Sequence, residues 1–155
     1  MSTAQKLYEA GLITYMRTDS VNLSDTAMKA CTQTVIALYG KEYSEPRKYK
    51  NKSSSAQEAH ECIRPTDMNK QSAGADASQK KLYELIWKRT IASQMADAAV
   101  SKTQIDVDMD ATKHVFVARG EVITFDGFLK VYSESHDDDT SDTEDDDVRL
   151  PNIKK

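Results

Sequence analysis

Apolar positions recur at helical spacing up to about residue 97 and at a spacing of two beyond it, and this change of period divides the chain. Leu7 and Ala10 share one face of a short opening helix that Ser2 or Thr3 can cap, and Gly11 is free to take the left-handed conformation that ends it. Leu12, Ile13, Thr14 and Tyr15 then favour extended backbone. Ser24 caps a second helix reaching Tyr39, with Asp25 in its first turn, Ala27, Cys31, Val35 and Leu38 at helical spacing, and Gly40 as the stop. Residues 41 to 55 are polar, contain Pro46 and the run Ser53, Ser54, Ser55, and predict a mobile loop. A third helix is expected over Ala77 to Met95, where Leu82, Leu85, Ile86, Trp87 and Ile91 form a broad apolar face that must be buried.

Past residue 98, Ile105, Val107 and Met109 alternate with Asp106, Asp108 and Asp110. HVFVARG and EVITFDGFLKVY continue as strands, with turns expected at Ala111 to Lys113, at Gly120 and at Asp126-Gly127. Three or four antiparallel strands follow from this pattern, and VRLPNIKK reads as the start of one more. A sheet so small needs a partner surface to be stable, which points to a fragment of a larger protein.

Composition refines that picture. A chain of 155 residues, 39% hydrophobic with mean hydropathy -0.65, has room for one domain with a core or for pieces of two. No apolar run approaches the roughly 20 residues that cross a bilayer, and the N-terminus lacks the features of a secretory signal, so no membrane partner and a cytoplasmic location are expected. Cys31 and Cys62 lack metal-ligand spacing and suit reduced thiols. The net charge of -4 conceals a partition: residues 133 to 147 hold nine acidic residues and no basic one, leaving 21 basic against 16 acidic elsewhere, a net of +5. The body is thus mildly basic, which fits either a polyanionic partner or ordinary solvated surface, and the acidic tract predicts a disordered loop.

Candidate chemistry centres on GLITYMRTDSVNLS, residues 11 to 24. A tyrosine hydroxyl ordinarily has a pKa near 10, so about one in a thousand is ionised at pH 7, a handicap of roughly 4 kcal/mol for an attacking phenolate. On extended backbone Tyr15 and Arg17 point to one side, so both can address a single phosphate, the phenol in line with phosphorus and the guanidinium on its non-bridging oxygens. Asp19 shares that parity if the strand continues and can then orient Arg17. On spacing alone the same residues describe a packed strand tyrosine beside a surface ion pair, and the choice stays open at this level. No metal site is expected. Asp106, Asp108 and Asp110 share the polar face of a predicted strand, and Glu58, His60, Glu61 and Cys62 lack zinc spacing.

TYMRTDS, residues 14 to 20, followed by Asn22-Leu23-Ser24, resembles the active-site motif of type IA DNA topoisomerases. QEAHECIRPTD, residues 57 to 67, resembles that family's second signature, in the same order and at a comparable separation. The helix over 77 to 95, the ARGEVITFDGFLKV block and Leu150-Pro151 extend the similarity over nearly the whole chain, except residues 41 to 56 and 133 to 147. Met16 favours the bacterial topoisomerase I branch over the topoisomerase III branch, where proline is usual.

The resemblance implies an α+β architecture: a tyrosine-bearing, winged-helix-like helical domain over 1–97, then part of a β-rich arch domain over 98–155. It implies an ATP-independent isomerase in which Tyr15 cleaves single-stranded DNA through a 5′-phosphotyrosine link, a strand passes and negative supercoils relax. By the same resemblance Arg17 positions the scissile phosphate, and His60 and Arg64 contact the DNA. Read without it, His60 is a surface histidine beside two carboxylates. Mg2+ is expected in the full-length enzyme, on a Toprim domain outside this chain, so the piece alone should be inactive, nucleoid-associated in its parent and prone to self-association. A non-catalytic DNA-binding module, with Tyr15 structural, and a protein-interaction module built on the acidic tract remain as alternatives.

Overall fold

Helix α1, Ser2–Glu9, stops where the sequence places a stop. Gly11 adopts φ 71°, its N–H donates to the Tyr8 carbonyl at 2.8 Å, and the Leu12 N–H reaches back to Leu7 at 2.9 Å. These two bonds form a Schellman cap, and they turn the chain sharply out of the helix. The computed structural model describes residues 2–49, 60–109 and 114–132. The expected turn at Ala111 to Lys113, the serine run, residues 57–59 of the second signature, the acidic tract and the tail with Leu150-Pro151 lie outside the described residues.

Helix α2, Asp25–Tyr39, has the predicted boundaries for the predicted reasons: the Ser24 hydroxyl accepts from the Ala27 N–H, and Gly40 closes the end at φ 109°. Ala27, Cys31 and Val35 are buried, whereas Leu38 is 46% exposed.

Helix α3, Ala77–Ala92, starts at Asp76, whose carboxylate accepts from the Gln79 backbone N–H at 2.8 Å and from its side-chain amide at 2.9 Å. Those bonds, the backbone one first, hold the Asp76 carboxyl below its ordinary pKa. A carboxyl lowered on folding adds stability above its unfolded pKa of about 4 and loses it as pH falls through the folded value. Asp76→Ala is therefore expected to melt below the wild-type chain at pH 7, with the gap closing in melts recorded below about pH 4; a gap independent of pH would remove the carboxylate from the cap.

The buried row of α3 differs from the predicted one. Gln79, Tyr83, Trp87 and Ile91 recur every four residues and are buried with Thr90, while Leu85 is 47% exposed. Leu85 stands two residues from Tyr83 and from Trp87, about 200° around the helix. The aromatics bury their rings because their polar ends find carbonyls: Trp87 Nε1 donates to Met68 O at 2.8 Å and Tyr83 Oη to Asp67 O at 3.3 Å. Both α1 and α2 pack on α3, with Leu7, Cys31, Val35, Tyr83 and Ile91 at the core.

Residues 41 to 49, expected as mobile loop, are ordered. A 3₁₀ turn at Lys41–Tyr43 buries Tyr43, and Ser44 bridges to Met95. Gln94, fully buried, accepts from the Arg47 N–H and donates to the Arg47 carbonyl, each at 3.1 Å, while its own carbonyl accepts from Glu45. A polar sequence thus becomes a fixed segment because one buried amide satisfies its backbone.

The described residues form two compact units: one runs to Ala96 and takes in Phe128–Tyr132, the other holds Asp97–Gly127. In the first, the Phe128 N–H donates to Ala96 O at 2.9 Å, Lys130 Nζ meets the Tyr43 hydroxyl at 3.0 Å and Arg89 meets the Tyr132 hydroxyl at 3.1 Å. The second is an antiparallel ribbon of β1, Ala99–Asp108, and β2, Val115–Phe125. Among the described residues the sheet has two strands, not three or four. Gly120 makes no turn: it pairs with Thr103 within β2, and residues 127–130 form a 3₁₀ turn where a strand was expected. Glycine there weakens the strand without breaking it, because its neighbours Arg119 and Glu121 continue the ladder opposite Gln104 and Lys102.

Candidate active site

The turn at Gly11 delivers residues 12–15 alongside residues 62–66. Ile13, 1% exposed, bridges Pro65 in antiparallel sense, with Thr14 N–H donating to Arg64 O at 2.9 Å and Thr66 N–H donating to Leu12 O at 3.0 Å. The Thr14 hydroxyl works in both directions: it donates to the Cys62 carbonyl at 2.7 Å and accepts from the Arg64 N–H at 2.9 Å. A second tie joins the Cys62 N–H to the Asn22 carbonyl at 2.8 Å. The two signatures, far apart in sequence, are thereby stitched into one surface. Thr14→Val, which keeps the shape and deletes the hydroxyl's bonds, is expected to cost about 1–3 kcal/mol in a urea titration; an unchanged midpoint would mean that the hydroxyl does not hold the segments together.

Tyr15 lies half-buried at the edge of this stitched region. Its ring meets Tyr8 edge-on, centroids 5.3 Å apart and planes at 72°, and meets the His60 ring at 5.5 Å and 36°. Tyr15 and His60, predicted from separate motifs, are therefore neighbours. Arg17 is exposed and, among the described residues, forms no hydrogen bond or ion pair. The strand parity expected for Tyr15, Arg17 and Asp19 fails, because the backbone bends at Met16 and Arg17. Ser20 instead leads a chain of local turns, its N–H donating to Thr18 Oγ1 and its Oγ accepting from the Asn22 N–H.

Arg64 is the most constrained of the candidate residues. Its Nε and Nη2 both reach Glu61 Oε2, at 2.6 and 2.5 Å, and Nη1 donates to the Pro65 carbonyl at 2.9 Å, with 17% of the side chain exposed. A partly buried guanidinium held this way fixes the turn over 61–65. Burial pushes the Cys31 thiol up to about 11, against the pull of the Arg64 charge, and raises Cys62 as well. Neither thiol is a ready nucleophile. Among the described residues no three His, Cys, Asp or Glu side chains cluster as a metal would need.

Sequence reasoning missed Tyr8, Thr14 and Glu61. Tyr8 carried one signal, an aromatic on the polar side of an amphipathic helix; nothing in the sequence marked Thr14 as a bond to the second motif.

A family model described as DNA topoisomerase matches residues 1–155. DNA topoisomerase 1 of Streptomyces coelicolor is 48% identical over 161 aligned positions, covering 99% of this chain and 17% of the relative. The DNA topoisomerase 1 type prokaryotic of Acanthamoeba polyphaga mimivirus is 44% identical, covering 93% of this chain and 18% of that protein. Full-length topoisomerase I from Thermotoga maritima shares the fold with a TM-score of 0.72 at 34% identity, over 93% of this chain and 24% of that one. The chain spans less than a fifth of the length of those two sequence relatives.

Proposed function

From the membership of this chain in the bacterial DNA topoisomerase I family, with its α+β fold, we propose that it carries the covalent half of a type IA strand-cleaving site, with Tyr15 as nucleophile. The observation that supports this reading is the placement of Tyr15: half-buried, with its ring against those of Tyr8 and His60, where the two signatures are stitched together. The phenolic oxygen attacks phosphorus in single-stranded DNA and gives up its proton to water. A P–O bond to Tyr15 forms, the bond to the 3′-oxygen breaks, and that oxygen leaves as a hydroxyl after taking a proton. Because one phosphodiester replaces another, resealing needs no ATP.

Arg17, exposed two residues on from Tyr15, neutralises the non-bridging oxygens as charge builds on them. His60 donates to a neighbouring phosphate, and its contact with the Tyr15 ring keeps that phosphate near the reacting one. Arg64 acts as a DNA contact only to the extent that Glu61 releases it; in its paired state it holds the turn that carries His60 toward Tyr15.

Relaxation of negative supercoils through strand passage belongs to the longer polypeptide, as does Mg2+. Among the described residues no three His, Cys, Asp or Glu side chains gather, and no step is routed through the ion. In this reading a Toprim domain elsewhere in the polypeptide holds the metal and supplies the proton to the leaving oxygen.

The test is a chimera in which this chain replaces the matching segment of the Streptomyces coelicolor relative, given magnesium and end-labelled single-stranded DNA and quenched in denaturant. A protein–DNA adduct carrying label from the 5′-phosphoryl side is expected. Adduct through the 3′ side, or none while the unaltered relative forms one, defeats the assignment.

A further inference from the structure

Leu7 and Tyr8 are adjacent on α1 and serve different ends. Leu7 is fully buried and carries the packing of the helix, whereas Tyr8 remains 41% exposed, so burial does not account for where its ring is placed. The Tyr8 ring instead meets Tyr15 edge-on at 5.3 Å and 72°, within the geometry that aromatic pairs favour. The cap at Gly11 brings this about, since its turn leads the chain away from the helix end and on to Tyr15.

The geometry points to Tyr8 as a positioning residue for the Tyr15 nucleophile, an inference that rests on the cleavage reading above. A tyrosine hydroxyl lies on the axis of its own ring flip, so flipping the ring does not move the oxygen; a change of χ1 swings it by several ångströms. Staggered χ1 wells lie about 120° apart, and only one of them can aim the phenol at a given phosphorus. Rings contributed by two separate segments, Tyr8 from α1 and His60 from the loop before Cys62, oppose that swing. Holding a nucleophile in a near-attack pose is a large part of catalysis, and displacement by about 1 Å can cost on the order of a hundredfold. The Tyr8 hydroxyl has no part in this role; the flat ring does.

The test uses the chimera with Tyr8→Phe, Tyr8→Leu and Tyr8→Ala, beside Tyr15→Phe, and measures single-turnover cleavage at saturating oligonucleotide separately from oligonucleotide affinity. Tyr8→Phe is expected within about twofold of the parent. Tyr8→Leu and Tyr8→Ala are expected to cleave roughly tenfold more slowly, on the scale of one lost aromatic contact, with affinity and melting temperature unchanged. Equal slowing by Tyr8→Phe would transfer the effect to the hydroxyl and overturn the inference. Weakened affinity with a normal saturating rate would make Tyr8 a stacking platform for a base instead, and a normal rate in Tyr8→Leu would leave it no role.

A second measurement needs no activity. In the free chain, the Tyr15 ring-proton NMR shifts should move on Tyr8→Leu; unmoved shifts overturn the contact itself. Cleavage that survives Tyr15→Phe would refute the nucleophile assignment, an outcome distinct from any of the Tyr8 results.

Discussion

If the proposed cleavage role holds, Tyr15→Phe is expected to eliminate the covalent adduct while leaving fold and single-strand binding in place. The substitution removes one oxygen and keeps the ring, so the contacts with Tyr8 and His60 survive and the melting temperature should change little. In the proposed reaction, by contrast, the chemistry loses the atom that would form the new bond to phosphorus. Removal of a nucleophile that acts with its site as a unit costs on the order of 10⁴-fold or more, which places the adduct below detection. The measurement pairs a denaturing gel for the adduct with a fluorescence titration for binding. Adduct at the parental level would return Tyr15 to the role of a packed aromatic and leave a DNA-binding module as the better description.

Trp87→Ala is expected to cause a large loss of stability. Trp87 is 3% exposed, and its indole N–H satisfies the carbonyl of the buried Met68 at 2.8 Å. Truncation therefore opens a cavity and orphans an acceptor, and large aromatic-to-alanine changes in cores cost about 3–5 kcal/mol. Against a total stability of about 5–15 kcal/mol for an ordinary domain, that removes from roughly a fifth to all of it. Leu85→Ala is the matched control: at 47% exposure it should change stability by less than about 1 kcal/mol. Urea titrations of the two variants decide which face of α3 is the core. Equal midpoints would contradict the buried row Gln79, Tyr83, Trp87, Ile91.

The same helix shows what the sequence made legible and what it withheld. Helix α2 was readable to the residue because its signals are local: a serine hydroxyl for the third N–H and a glycine for a backbone conformation that side chains resist. The buried row of α3 was not, because leucines outbid tyrosine in an apolar pattern, and only tertiary structure reveals the carbonyls of Asp67 and Met68 that let Tyr83 and Trp87 go inside. Residues 41–49 read as loop for a similar reason, since their order comes from Gln94, some fifty positions away. At the site, the motifs gave Tyr15 and His60, which the fold brings together, but the strand parity proposed for Arg17 ignored a bend that no residue type announces. The Glu61 pairing of Arg64 was open to inference from an i, i+3 spacing; the bond from Thr14 to Cys62 was not.

The hydrogen bond between Phe128 and Ala96 has a topological meaning. Because the backbone closes on itself at that point, with Lys130 on Tyr43 and Arg89 on Tyr132 reinforcing the closure, the helical unit folds as though residues 97–127 were a single tied-off loop. Closing entropy rises only with the logarithm of loop length, so doubling the ribbon adds roughly 0.6 kcal/mol. The ribbon can therefore be lengthened, trimmed or exchanged with little consequence for the helices.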